Sequence, residues 1–197
     1  MCVIINKPAN SSIESKIIED NLWQNSDSFG FCLLDTGEVY HTLDIDEAYN
    51  IATSEAPMVI HGRIATHGKV NLANCHPFDA RHSWLFHNGV INGMREDDHS
   101  DTWHIAQQLR MVREKDAVRF LSHFGTSRWL LVSKATMEIR TVGAWTTFGD
   151  CQFSNSYSLP YEYDDTELTP TRKGFDSYQY WWRKHSSSGI SLRYSRA

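Results

Sequence analysis

No stretch of the chain approaches the roughly 18 consecutive apolar residues that a bilayer-spanning helix needs, so no membrane span is expected. Basic charge is scarce too. The 19 Lys and Arg stand against 24 Asp and Glu, for a net charge of -5, which argues against direct nucleic-acid binding through a basic surface. Cysteine is sparse and scattered: Cys2, Cys32, Cys75 and Cys151 form no C-x-x-C pair and no short disulfide framework. They read as reduced thiols in a reducing compartment. The N-terminal Met-Cys-Val-Ile-Ile-Asn-Lys-Pro has no charged leader before an apolar run. No signal peptide is expected there, and the cytoplasm is the expected location.

What remains has the composition of a soluble globular domain, with 41% apolar and 22% charged residues in a length that suits one sizeable core. Cys2-Val-Ile-Ile5 reads as a short buried strand. Ser11 and Glu14 have capping-box spacing ahead of a helical stripe of Ile13, Ile17, Ile18 and Leu22. Residues 29–34 and 38–42 around Asp35-Thr36-Gly37 predict a hairpin, and Asp44 with Glu47 predicts a second capped helix ending near Ser54. Strand 57–61 leads into a polar loop over about 65–82.

Asn88-Gly89 between 83–86 and 90–91 predicts a hairpin turn. Ser100 predicts a cap for a helix over about 101–113, followed by a helix over about 116–124 and strands near 129–132, 137–141, 144–148 and 151–154. Strands come in runs with helices between the runs, which predicts an α+β fold with mostly antiparallel sheets. The expected first domain covers 1–160. From about Tyr161 the chain turns acidic, then aromatic and basic through Tyr180-Trp181-Trp182-Arg183. The extension 161–197 is thus a candidate docking segment or, equally, a last element covering the core.

Several residues could carry chemistry. A thiol is nucleophilic only as thiolate, and Cys2 would gain its own base if Met1 were removed, because an α-amine has a pKa of about 7.7–8.0. By itself, without the rest of the sequence, Cys2 reads as a packing residue at the start of a core strand. Arg63, leaving a strand end, suits bidentate binding of a carboxylate. Asn88 and the Gly89 N–H are either a hairpin turn or a donor pair for negative charge developing in acyl transfer. Asp101 after Ser100 reads as a helix cap, or as a partner for a substrate ammonium. His61, His67, His76, His82 and His87 cluster in sequence, but no spacing matches H-x-x-x-H or a Cys/His zinc pattern, so no metal is expected.

Taken in order, Cys2, Phe29-Gly30, H-G-R-I-A-T-H-G from His61, N-C-H-P-F from Asn74, H-N-G from His87 and Ser100-Asp101 resemble the class II glutamine amidotransferase domain over about residues 2–156. The resemblance implies an αββα sandwich, the N-terminal nucleophile hydrolase fold. It implies that Cys2 attacks the glutamine carboxamide while Asn88 and Gly89 form the oxyanion hole. Arg63 would hold the α-carboxylate and Asp101 the α-ammonium, with Thr66 and His67 lining the pocket and His76 at its edge. No cofactor is implied. The expected products are a glutamyl thioester with ammonia, then glutamate.

Two departures concern subfamily: Val3 follows Cys2 where the family has glycine, and the segment before Gly30 is reduced to Asn25-Ser26-Asp27-Ser28-Phe29. Both suit small stand-alone relatives, some of which occur in bacteriophage genomes. With no synthase domain to consume ammonia, a separate acceptor enzyme is the expected partner. The alternatives are an amidohydrolase acting on another γ-glutamyl amide, or a binding protein on the same fold without catalysis.

Overall fold

The computed structural model describes residues 2–66, 68–91, 93 and 98–160. The expected extension 161–197 lies outside the described residues, as does His67.

Among the described residues, ten strands form two sheets. The first has the order β3 (Val39–Thr42), β2 (Ser28–Leu33), β4 (Met58–Arg63), β1 (Val3–Lys7), β10 (Cys151–Phe153), β9 (Thr146–Phe148). The second runs β5 (Phe78–Asp79), β6 (Ser83–Asn88), β7 (Arg128–Ser133), β8 (Ile139–Val142). The strand pairs of both sheets are antiparallel. Helices α1 (Ser15–Gln24) and α2 (Ile45–Ala52) belong to the first sheet's core, and α3 (Asp101–Leu109) and α4 (Ala117–Leu121) to the second's.

The period-two alternation of strand side chains builds this layering. In β1, Val3 and Ile5 enter a core with Ile17, Ile18 and Leu22 of α1 and Ala48 of α2. Ile4 points the other way, into a core shared with Cys32, Val59, Phe86, Leu130 and Val132 between the sheets. In β6 and β7 the division repeats: Leu85, Trp129 and Leu131 pack with Ile105 and Leu109 of α3 and Leu121 of α4. Three apolar layers thus separate four layers of elements, an αββα sandwich with both sheets covered. Each fully buried Val, Leu, Ile or Phe contributes about 1.5–3 kcal/mol relative to exposure.

Local signals set several element ends. Asp44 caps α2 by accepting the Asp46 and Glu47 N–H groups, and Ser100 caps α3 by accepting from Trp103. Other expectations need correction. The first residue of α1 follows Glu14, whose side chain makes no cap bond. Ser11 instead hydrogen-bonds Asp150 Oδ1 at 2.6 Å. Asn88-Gly89 is not a hairpin turn. β6 continues through Asn88 and pairs across its length with β7, from Ser83 opposite Ser133 to Asn88 opposite Arg128. Helix α3 ends at Leu109 rather than near 113.

Candidate active site

Cys2 stands immediately before β1, half-buried, with its thiol against the Ile64 carbonyl at 3.6 Å. Antiparallel pairing sets Val3 opposite Gly62 and Ile4 opposite His61, so the start of β1 meets the end of β4, where Arg63 emerges. Arg63 is buried, and its guanidinium donates to the Lys69 carbonyl at 3.3 Å. Asp27 pins this strand end. Its N–H donates to Arg63 O at 3.0 Å and its carboxylate accepts the Ala65 N–H at 2.7 Å.

One cavity is lined by Cys2, Arg63, Thr66, His76, Gly89 and Asp101, together with Ile64, His87, Ser100 and Thr102. Six of the eight residues expected at a site therefore meet around a single space, although they are spread over a hundred positions of chain. Asn88 is fully buried beside it, and its Nδ2 lies 2.9 Å from Ser154 Oγ while its Oδ1 has no partner. The eighth residue, His67, falls outside the described residues.

Burial pushes the Cys2 thiol up from its ordinary value. The Ile64 hydrogen bond and the Arg63 charge act in the other direction and do not cancel it. The thiol is therefore protonated at neutral pH unless a base is added. Asp101, the first residue of α3, is held from three sides. Its carboxylate accepts the Ile91 N–H at 2.8 Å, the Thr102 N–H at 2.8 Å and the Thr102 hydroxyl at 3.3 Å. Thr102 Oγ1 lies 2.8 Å from His87 Nδ1, and His87 Nε2 lies 3.0 Å from Ser127 Oγ. With Thr102 donating to Asp101, His87 donates from Nδ1 and accepts at Nε2. Burial drives its pKa down to about 4, so this imidazole is neutral at physiological pH.

Gly89 sits in the elbow of that chain of bonds. A Cβ there would stand 2.5 Å from Ser127 Oγ and 2.7 Å from His87 Nε2, so any larger residue must displace one of these side chains. His76 stacks on His61 with ring centroids 3.9 Å apart, and both its ring nitrogens are buried without a partner. Burial holds His76 well below its ordinary value. Among the described residues no group of three His, Cys, Asp or Glu side chains could hold a metal ion.

Sequence reasoning did not anticipate Asp27, Thr102, Ser127, Ser154 or Asn155. Asn155 Nδ2 donates to the Cys2 carbonyl at 2.7 Å. No local signal marks Ser154 and Asn155: they follow β10, between 66 and 153 positions from the residues they hold, and read as ordinary polar loop.

An αββα sandwich with a cysteine at the head of a central strand and a cavity before it defines an N-terminal nucleophile hydrolase fold. No protein-family model matches the chain. Over 138 residues, 64% of the chain, it is 28% identical to the glutamine–fructose-6-phosphate aminotransferase (isomerizing) of Campylobacter jejuni, 21% of which the match covers. The structure superposes on glutamine phosphoribosylpyrophosphate amidotransferase from B. subtilis, solved with ADP and GMP, with a TM-score of 0.53 at 12% identity. That superposition covers 80% of this chain and 42% of the other. Both relatives are class II glutamine amidotransferases, and the chain spans less than half the length of either. The chain is thus distantly similar to the class II glutamine amidotransferase domain and shares its fold.

Proposed function

We propose that the chain is a glutaminase that hydrolyses the side-chain amide of glutamine through a Cys2 thioester and delivers ammonia to a separate acceptor enzyme. The observation that carries this reading is the cavity that joins Cys2, Arg63, Gly89 and Asp101. It offers a nucleophile, a guanidinium for a carboxylate, a backbone N–H for an oxyanion and a carboxylate for an ammonium. Together these are the four complements of an α-amino acid bearing a terminal amide.

Removal of Met1 turns the Cys2 nitrogen from an amide into an amine, with a reference pKa of about 7.7–8.0. This amine takes the thiol proton, and Sγ attacks the carboxamide carbon. The C=O electron pair moves to oxygen, where Gly89 N–H and the Asn88 amide stabilise the charge. The amine returns its proton to the leaving nitrogen, the C–N bond breaks, and ammonia departs from the thioester. Water then adds to the thioester carbon and restores the thiol, releasing glutamate. Arg63 and Asp101 hold the two ends of the amino-acid head group, and Thr66 closes the wall beside them.

The test is intact mass spectrometry of the processed protein after exposure to 6-diazo-5-oxo-norleucine, with glutamate release from glutamine followed in parallel. A single adduct on Cys2 together with glutamate release is expected. Absence of both in protein shown to begin at Cys2 overturns the reading.

A further inference from the structure

Ser154, immediately after β10, hydrogen-bonds two parts of the candidate site at once. Its N–H donates to the Ile4 carbonyl at 2.9 Å, and its Oγ accepts the Ile4 N–H at 2.8 Å. The same Oγ lies 2.9 Å from the end of the Asn88 amide. The next residue, Asn155, holds the carbonyl of Cys2. One dipeptide thus fastens both the head of the nucleophile strand and the amide expected to face the oxyanion.

Hydrogen-bond accounting within this group gives the amide a direction. With Nδ2 toward Ser154, Oγ accepts two bonds, from Ile4 and from Asn88, and its own hydroxyl hydrogen finds no acceptor among the described residues. Asn88 Oδ1 is then buried with no partner. A carboxamide turned by 180° fills the same space. In that orientation the Ser154 hydroxyl donates to Oδ1, the Ile4 N–H keeps its acceptor, and two unmatched groups become one. The remaining group is an N–H donor, the kind that a developing oxyanion requires.

We propose that Ser154 is a positioning residue for the oxyanion hole. Anchored by Ile4, its hydroxyl donates to Asn88 Oδ1 and turns Asn88 Nδ2 out as a free donor beside Gly89. Ser154 does not touch the substrate. It acts only through Asn88. This rests on the glutaminase reading for its kinetic consequences, but the hydrogen-bond arrangement stands or falls separately.

Two measurements test it. In processed protein, Ser154→Ala is expected to lower kcat about tenfold with KM for glutamine within about twofold, because only a transition-state interaction weakens. Asn88→Ala is expected to lower kcat about a hundredfold. The double variant should be no worse than Asn88→Ala alone, since Ser154 has nothing left to orient. Alkylation of Cys2 by iodoacetamide, which forms no oxyanion, should proceed at the wild-type rate in Ser154→Ala. Multiplicative losses in the double variant, or parallel loss of alkylation, overturn the proposal.

A neutron crystal structure of the wild-type protein locates the deuterons without any substitution. A Ser154 deuteron directed at Asn88 Oδ1 supports the assignment, and an Nδ2 deuteron directed at Ser154 Oγ overturns it. If wild-type protein fails to release glutamate, the glutaminase reading falls, while the neutron result still decides the orientation.

Discussion

Gly30 in β2 lies directly beneath the backbone of His76: a Cβ built on Gly30 would stand 1.4 Å from the His76 carbonyl oxygen. The loop that brings His76 over the first sheet can approach that closely only because one strand position has no side chain. From there His76 stacks on His61 and reaches the cavity wall.

The first prediction follows directly. Gly30→Ala forces backbone against backbone, with no flexible side chain to yield, and is expected to cost more than about 3 kcal/mol, above the usual range for overpacking. Chemical denaturation checks it. A Gly30→Ala variant within about 1 kcal/mol of wild type, at or below the bottom of that range, would mean that the 75–77 loop does not rest on β2.

Acid sensitivity follows from the buried imidazoles. Burial lowers His61 to about 3 and His87 to about 4, and holds His76 well below its ordinary value. In the unfolded chain these groups titrate near 6.5. The folded pKa values are depressed, so the unfolded state binds more protons between those values and pH 6.5, and stability must fall as pH falls through that window. Each histidine contributes at most about 1.4 kcal/mol per pH unit there. Stability is expected to be flat from pH 8 to 7 and to drop steeply from 6.5 toward 4.5. His87→Gln should shallow that slope by about one proton's worth, read from denaturation midpoints across pH. A flat profile down to pH 5 would contradict the burial of these rings.

Much of the sandwich was legible because its signals are local. The unbroken β-branched run Val3-Ile4-Ile5 announces a strand buried on both faces, and Asp44 and Ser100 satisfy nearby N–H groups whatever the rest of the chain does. Asn88-Gly89 misled because the hairpin rule weighs only turn chemistry. The pairing of β6 with β7 is decided by burial of Phe86 against Leu130 and Val132, some 45 positions away, and local sequence carries no trace of it. Ser11 was drawn from its expected cap by Asp150, again a distant partner. At the site, Cys2 alone reads as packing and Asp101 as a cap, and only the order of the motifs that resemble the amidotransferase domain drew the thiol, the guanidinium and the carboxylate together. The residues bonded around the site, Thr102 to Asp101, Ser127 to His87, Ser154 to Asn88 and Asn155 to the Cys2 carbonyl, are polar, and only the folded chain distinguishes them from loop or helix surface.

Substrate clamping gives a prediction separable from chemistry. Arg63 presents a planar fork whose geometry a lysine cannot reproduce. Arg63→Lys is expected to raise KM for glutamine about 10–100-fold with a smaller change in kcat, since the α-carboxylate is equally charged in ground and transition states. The matching chemical deletion is 4-aminobutanamide, which keeps the amide and amine but lacks the carboxylate. Wild type and Arg63→Lys should hydrolyse it equally slowly. If Arg63→Lys loses activity toward both substrates alike, Arg63 serves the fold or the nucleophile, not the head group.

Processing at Met1 gives the sharpest expectation. Burial raises the Cys2 thiol, and no described side chain offers it a base: its hydrogen bond runs to the Ile64 carbonyl, which cannot take the proton. A chain that retains Met1 should therefore react slowly with iodoacetamide at pH 7, since the thiolate fraction is small. Freeing the Cys2 amine adds a base on the same residue, while Asn155 still holds the Cys2 carbonyl and Ser154 still holds Ile4, so the thiol keeps its place. Two preparations make the comparison, one with an N-terminal extension and one trimmed by a protease to begin at Cys2. The trimmed form is expected to alkylate at least about tenfold faster at pH 7, with a rate profile that rises through the α-amine range near pH 7.7–8.0 rather than the thiol range. Equal rates in the two forms would show that the amine plays no part in activating Cys2. They would remove the chemical reason for a nucleophile at the second position.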